Sequence, residues 1–288
     1  MQAVRPVSAS RWPTPPIVTT SIGLHLAAAG AALVWPAVWP WALATVGANQ
    51  VALGAAGLWP RSRWLGPNFT RLPAAAGAAV ALTIDDGPDP EVTPAVLDLL
   101  DTLDARATFF CIGERARAAP ALTREIRRRG HSVQNHSLRH RHDFALRGPR
   151  ALAREIGDAQ ALLADLSGAL PHCFRAPAGL RNPFLDPVLH RLGLHLVSWT
   201  RRGFDTRTAL AGVVLGRLTR GLAAGDVLLL HDGHARHGAH GRAVLLDVLP
   251  ALVARCRAAG LATVTLDDAL PARAGAAASV PAPAVVAG

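Results

Sequence analysis

Lysine and tyrosine are both absent from these 288 residues, and cysteine occurs only three times. An odd cysteine count, with Cys111 inside an apolar strand-like run, excludes a disulfide framework. Cys111, Cys173 and Cys256 read as free thiols in packing roles. Without lysine, the positive side of the net charge of +10 comes wholly from arginine. A nucleic-acid binder has such a balance, but few aromatics lie outside the N-terminal region to stack on bases, so no nucleic-acid partner is expected. An anionic leaflet or a phosphate-bearing lipid substrate accounts for the arginine excess at least as well. Formal charge is also missing from Pro15 to Pro60, a stretch too long for one buried helix.

That uncharged stretch divides into two segments, about 17–35 and 41–59, around Trp35-Pro36-Ala37-Val38-Trp39-Pro40-Trp41. Each approaches the ~20 residues that cross a bilayer. Trp12, Trp59 and Trp64 fall at one end of the pair and Trp35, Trp39 and Trp41 at the other, as interfacial belts do. Arg5 and Arg11 precede the pair, and Arg61, Arg63 and Arg71 follow it. Both flanks then share one side, which the positive-inside rule makes the cytoplasm. The expectation is an N-terminal membrane-anchor region, residues 1–70, with the rest of the chain facing the cytoplasm. His25, Asn49, Gln50 and many small residues weaken both spans, so a single signal anchor with the rest outside is the alternative. A cleaved secretory signal fits poorly, because its apolar core is far shorter.

Chemistry enters at Ala81-Leu82-Thr83-Ile84-Asp85-Asp86-Gly87-Pro88. Two carboxylates at a strand's end are reachable by solvent yet held by rigid backbone, as a metal site or general base requires. By itself the stretch reads as readily as a turn before a helix cap. His136 and His140 in His-Ser-Leu-Arg-His can share one face of a helical turn, and neutral imidazole suits zinc-like divalent ions. With one Asp they make three ligands, which leaves a position for water and marks a catalytic metal site. The bland reading is a solvated basic loop through Arg139–Asp143. Phe174-Arg175-Ala176-Pro177-Ala178-Gly179 offers an arginine to pair with a carboxylate and a turn that can aim a backbone N–H into a cleft. Leu228-Leu229-Leu230-His231-Asp232 offers an acid or base past a strand, with the following Asp to orient its ring. His234, His237 and His240 follow at threes and read as a polar loop.

Taken in this order, the four motifs resemble the polysaccharide deacetylase family (carbohydrate esterase family 4), which shares a homology domain with the nodulation-factor chitooligosaccharide deacetylases. The matching positions are 83–87, 136–140, 175–179, 205 and 227–231, within a resemblance covering about 76 to 270. The resemblance implies hydrolysis of an N-acyl group with one divalent metal ion, zinc in first place and cobalt or manganese as alternatives. Asp86, His136 and His140 would hold the metal. Asp85 would be the general base and His231 the acid that protonates the departing amine. Arg175 and Asp205 would fix and tune Asp85. Pro177, Ala178 and Leu229 would contact substrate, with the Ala178 N–H facing the oxyanion. The implied substrate is an N-acylated amino sugar in a glycan or a lipid-linked saccharide.

Two departures stand out. Family members often carry Tyr where this chain has Ala178, and the stretch matching the family's Asp-Trp-type motif reads Trp199-Thr200-Arg201-Arg202-Gly203-Phe204-Asp205-Thr206. Thr206 replaces the usual Trp, and Arg202 falls where another Asp is common. The machinery is kept while the substrate wall is rebuilt, which points away from plain chitin oligomers. The rival reading from another class is an inactive glycan- or lipid-binding module on the same scaffold; a third is the same metal chemistry on a formyl group or a non-sugar amide. Presence of all seven polar motif residues counts against the module.

Strand-like runs at 79–84, 107–112, 131–135, 195–200, 226–230 and 262–266 alternate with amphipathic stretches at 91–105, 114–129, 148–167, 207–222 and 241–259. Alternation implies an α/β fold with a parallel sheet, and chemistry at C-terminal strand ends favours a barrel. The resemblance implies an irregular (β/α) barrel of about seven strands, so 71–270 is expected to be one catalytic domain. Residues 271–288, rich in Ala, Pro and Val, read as a disordered tail.

Overall fold

A computed structural model describes residues 11–238 and 241–271. Arg5, His240 and all of the expected tail beyond Pro271 lie outside the described residues.

The uncharged stretch forms a helical hairpin, α1 (Pro16–Val34) and α2 (Trp39–Leu58), joined by a short turn at Pro36–Val38. Proline at the first turn of each helix needs no amide hydrogen there. Large apolar side chains point outward, among them Leu26, Leu33, Trp41 and Val51, each at least 70% exposed. The polar residues that weaken the two segments turn towards each other. Asn49 Nδ2 donates to Ser21 Oγ at 2.8 Å, and Gln50 Nε2 lies 3.1 Å from His25 Nε2. Among the described residues only α1 is long and apolar enough to cross a membrane by length and composition. The second segment falls short of that test, and Asn49 and Gln50 at its centre are the physical reason.

After the hairpin the chain alternates strand and helix: β1 (Ala79–Asp85), α3 (Val92–Thr102), β2 (Thr108–Cys111), α4 (Gly113–Ala118), α5 (Pro120–Arg128), β3 (Ser132–Asn135), α6 (Pro149–Ser167), β4 (Cys173–Phe174), α7 (Leu185–Arg191), β5 (His195–Leu196), β6 (Arg201–Arg202), α8 (Ala211–Thr219), β7 (Val227–His231), α9 (Val244–Ala258), β8 (Ala262–Val264) and α10 (Leu266–Ala269). The expected helix over 114–129 is two helices, because Pro120 cannot continue α4 and instead starts α5. In α3, Val92, Val96, Leu97 and Leu100 are buried on one face, at the helical spacing of an element packed against a sheet.

All strand pairs are parallel, in the order β5-β4-β3-β2-β1-β7-β6, with β8 beside the start of β1. The sheet curls into a half-barrel. β5 and β6 do not pair, and the chain leaving the hairpin covers that seam: Phe69 bridges to Val197, and Arg71 to Asp226. Alternation along the strands separates two cores. Val80, Leu82, Ile84, Phe109, Leu228 and Leu230 face the helices, while Ala81, Phe110, Cys173, Val197, Trp199 and Leu229 fill the barrel interior. β1 is buried on both faces, as a central parallel strand must be. Asp85, Asn135, Phe174 and His231 end β1, β3, β4 and β7 at one rim.

Candidate active site

The C-terminal rim holds a cleft of about 240 Å³ lined by Asp85, Asp86, His136, His140, Ala178, Trp199, Arg202, Leu229 and His231 among others. That is below the usual range of pockets that enclose a whole small ligand, so much of any larger ligand would lie along the open rim.

Three donor atoms converge at its floor. Asp86 Oδ1 lies 3.3 Å from His136 Nε2 and 3.3 Å from His140 Nε2, and the ligand atoms of the three residues fall within 4.8 Å of one another. Asp86 Oδ1 is buried and has no hydrogen-bond partner, an orphan that a cation would satisfy. His136 Nδ1 donates to the Arg175 carbonyl at 2.8 Å, which leaves the Nε2 lone pair facing the carboxylate. Burial opposes the charged form of Asp86, yet His136 beside it, the hydrogen bond from His234 and the charge of His231 hold its carboxyl far below the usual range. Burial, followed by the nearness of His136, pushes His140 down to about 4, so its imidazole stays neutral at pH 7. The donor set is one carboxylate and two imidazoles, which suits zinc and its neighbours. These residues fit a divalent metal.

The loop that presents the histidines is not the expected helical turn. Ser137 and His140 adopt left-handed conformations, φ 67° and 49°. Side-chain caps hold them there: Asn135 Oδ1 accepts from Ser137 N at 2.9 Å, and Ser137 Oγ accepts from His140 N at 3.0 Å. Local turn chemistry therefore brings the two rings to 4.8 Å, where a helix was expected to do it.

Asp85 points into the barrel beside the donor set. Its Oδ1 accepts from Arg175 NH1 at 2.5 Å. Arg175 is the largest fully buried side chain, and every arm of its fork is engaged: Thr83 Oγ1 at 2.9 Å, the Val197 carbonyl at 3.2 Å and the Ser198 carbonyl at 2.9 Å. Phe110 lies under the guanidinium at 4.1 Å.

On the other wall stands His231, and here the structure corrects two expectations. Asp205 does not touch Asp85. It accepts from His231 Nδ1 at 2.8 Å and from the His231 amide at 2.7 Å. Asp232, expected to orient that ring, turns away to Thr93 Oγ1 at 2.5 Å, and burial raises its carboxyl to about 7. The reason is strand alternation, which sends neighbouring side chains to opposite faces. Burial disfavours a charged His231, but its hydrogen bond to Asp205 and that residue's charge raise its pKa above the ordinary value.

Pro177 and Leu229 are buried in the walls, and Ala178 is exposed at the rim with φ 55°. Beside it Gly179 has φ 75°, and a Cβ there would lie 2.6 Å from Trp199 and 2.7 Å from Pro60. Two contributors were not expected. His234 donates from Nδ1 to Asp86 Oδ2 at 2.9 Å, and Arg115 donates to the Asp86 carbonyl at 2.9 Å and the Gly233 carbonyl at 3.1 Å. The spacing of histidines at threes marks the His234 loop; nothing in the local sequence around Arg115 does.

Residues 74–197 match the family model for polysaccharide deacetylases. The chain is 33% identical over 189 residues to the chitooligosaccharide deacetylase of Azorhizobium caulinodans, covering 62% of this chain and 90% of that protein. It belongs to the polysaccharide deacetylase family. A peptidoglycan-N-acetylglucosamine deacetylase of Bacillus cereus is likewise 33% identical, over 60% of this chain and 81% of that one. Among solved structures, a family 4 carbohydrate esterase from Streptomyces lividans in complex with acetate aligns with a TM-score of 0.61 and 29% identity, covering 68% of this chain and 97% of that one. A peptidoglycan N-acetylglucosamine deacetylase in complex with an N-oxidanyl-benzamide aligns with a TM-score of 0.64 at 27% identity, over 70% and 92% of the two chains. In this member of the polysaccharide deacetylase family, Asp85, Asp86, His136, His140, Ala178 and His231 line the cleft.

Proposed function

We propose that this chain is a membrane-anchored, metal-dependent hydrolase that removes an N-acyl group, in the first place N-acetyl, from an amino sugar in a glycan or lipid-linked saccharide. One observation carries the reading: the Asp86, His136 and His140 donor atoms converge between an Asp85–Arg175 pair and a His231–Asp205 pair. An inactive binding module has no need to keep both pairs. The named relatives, a chitooligosaccharide deacetylase and a peptidoglycan deacetylase, support the reaction class.

Asp86, His136 and His140 hold a divalent ion, with zinc the first choice and cobalt or manganese as alternatives. When bound, such an ion supplies Lewis-acid polarisation and lowers the pKa of water towards about 7. Arg175 pairs with Asp85 and fixes its direction, so that Asp85 takes the proton from the attacking water. The Ala178 N–H donates to the acyl oxygen as it becomes an oxyanion. His231 enters as an imidazolium and gives its proton to the departing nitrogen, so free amine and acetate leave. Asp205 holds the tautomer and orientation that this transfer needs.

Asp205 is a positioning residue, and its loss has a signed consequence. Asp205 raises the His231 pKa, so Asp205→Asn lowers it and the protonated acid disappears at lower pH. The alkaline limb of kcat/KM should move to lower pH, with a fall of roughly 10- to 100-fold at the optimum. A pH profile whose alkaline limb stays in place removes Asp205 from this role.

Outward apolar side chains, paired inner polar groups and the absence of charge support a membrane location for the hairpin. Arginine on both flanks supports a cytoplasmic catalytic face. Full-length chain should stay in the membrane pellet through an alkaline carbonate wash; recovery in the supernatant would sink the anchor. The activity test is amine release by full-length protein in detergent from N-acetylated glycans and lipid-linked amino sugars. Chelator should abolish release, and zinc, cobalt or manganese should restore it. Chelator-insensitive release would remove the metal, and no release from any member by metal-loaded protein would favour the binding module.

A further inference from the structure

Arg202 stands at the cleft wall. β6 is two arginines long, and its neighbours provide a built-in contrast. Arg201 faces away from the cleft and is fully engaged, with Nε 2.5 Å from Asp226 Oδ2 and its other nitrogens on the Arg220 and Gly221 carbonyls. Arg202 faces the cleft across from Leu229 and has no ion-pair or hydrogen-bond partner among the described residues. Its Nε is buried and unsatisfied. The guanidinium lies 5.3 Å from the Trp199 ring and 5.0 Å from the Phe204 ring, so aromatic faces hold it without neutralising it.

Charge accumulates at this wall. Arg207 and Arg217 also approach the Phe204 ring, at 6.0 and 5.3 Å, and neither has a carboxylate partner among the described residues. The nearest cleft carboxylates are already committed, Asp85 to Arg175 and Asp205 to His231. Nor does Arg175 need an acid at position 202, since its remaining nitrogens are taken by Thr83, Val197 and Ser198. Asp85, Asp205 and Asp86 act on Arg202 through their charge, but none of them is its hydrogen-bond or ion-pair partner among the described residues. A guanidinium that lines the cleft without a hydrogen-bond or ion-pair partner can receive an anion there, and a phosphate matches its fork.

The hairpin fixes where that anion comes from. It is docked directly on the cleft wall. The Gly57 carbonyl, at the end of α2, accepts from Arg181 N at 3.1 Å, Ser198 Oγ donates to the Pro60 carbonyl at 2.6 Å, and Arg181 also donates to the Ser62 carbonyl. Pro60 touches the Gly179–Trp199 wall of the same cleft. A hairpin embedded in a bilayer thus holds the catalytic cleft at the headgroup level, with no tether of slack chain between them.

From this we infer that Arg202 is a specificity residue that receives a phosphate borne by the N-acyl amino sugar, the phosphate being the ester of a lipid carrier in the adjoining bilayer. The inference rests on the deacylase reading and narrows its substrate.

The test uses full-length, metal-loaded protein in nanodiscs with three probes: neutral diacetylchitobiose, soluble N-acetylglucosamine 1-phosphate, and a polyprenyl-phosphate ester of N-acetylglucosamine in the disc. Wild type should favour both phosphorylated probes over the neutral one by about 10- to 100-fold in kcat/KM. The polyprenyl ester should exceed the soluble phosphate. Arg202→Gln should bring the charged-to-neutral ratio close to one, and Arg202→Lys, keeping the charge but not the fork, should retain part of it. A melting temperature within a few degrees of wild type shows that each variant is folded. Equal rates on charged and neutral probes, or a ratio untouched by Arg202→Gln, overturn the inference while leaving the deacylase intact. Equal rates on the two phosphorylated probes overturn the lipid carrier. An equal loss on all three probes, with weaker binding to anionic discs, assigns Arg202 to the leaflet and overturns its role in substrate choice. Release from none of the probes overturns the deacylase reading itself.

Discussion

Asp85→Asn is expected to lower kcat by about 10²- to 10⁴-fold while the protein still binds one equivalent of metal. The separation of the two effects follows from geometry. Asp86 supplies the carboxylate oxygen that meets both imidazoles at 3.3 Å, whereas Asp85 Oδ2 stays 3.8 Å from His136 Nε2 and its other oxygen belongs to Arg175. An amide at this position occupies the same space but cannot take a proton from water. The competing explanation is misfolding, because Arg175 would lose its only anionic partner among the described residues while 1% exposed. Breaking a buried ion pair costs about 3–5 kcal/mol where the remaining charge is left bare. Here the remaining charge is not bare. Thr83, Val197 and Ser198 oxygens and the Phe110 face still hold the guanidinium, and the oxygen of the introduced amide can accept where the carboxylate did. The loss of stability should fall at the low end of that range, so thermal melting separates it from the loss of turnover. Near-normal kcat would sink the general base. Loss of metal together with turnover would put Asp85 in the donor set.

The site was more legible than the details of how it is built. Asp85, Asp86, His136, His140, Arg175 and His231 stand in short motifs at strand ends, and parallel topology carries strand ends to one rim, so their meeting follows from local signals and one rule. Asp205 was placed in the site but on the wrong partner. Which acid reaches His231 depends on how β6 and β7 lie side by side, and sequence spacing does not carry register. Asp232 failed for the opposite reason: adjacency in sequence suggests contact, while the pleat forbids it. His234 and Arg115 close on Asp86 from residues 148 and 29 positions away, distances over which no periodic pattern survives.

The fold shows the same division. Long, strongly patterned elements such as β1, α6, α9 and both hairpin helices lie close to their expected positions. The two-residue strand β6 and the seven-residue α7 were not read as elements, because so few residues hold no period. The hairpin's polar residues illustrate a subtler loss. Read singly, His25, Asn49 and Gln50 argue against spanning segments; read as the pairs Asn49–Ser21 and Gln50–His25, they hold the two helices together. Pairing is a tertiary fact, and hydropathy counts each residue alone.

His136→Ala should remove metal and activity together, and the hierarchy of affinities around the site makes this a sharp expectation. His136 is one of three donors, 2% exposed and fixed by its Nδ1 bond to the Arg175 carbonyl, so its Nε2 has one direction available. Without it two donors remain, with the partly exposed His140 the sole imidazole. His234 tests the scale. It touches the far oxygen of Asp86, is 52% exposed and lies outside the donor set, so His234→Ala should weaken metal by about 10- to 100-fold, the usual effect of an outer hydrogen-bond partner. Loss of a donor must exceed that. Competition with a chromophoric chelator would rank the proteins wild type, His234→Ala, then His136→Ala, with the last retaining no measurable ion at equimolar metal. Activity should follow occupancy in the first two and recover in His234→Ala when metal is raised, since its catalytic pairs are untouched. A His136→Ala protein that binds metal as tightly as His234→Ala would move the donor set elsewhere in the cleft. Burial disfavours a charged His136, but the Asp85 and Asp86 carboxylates overcome that and raise its pKa, so this corner of the cleft is arranged to receive positive charge.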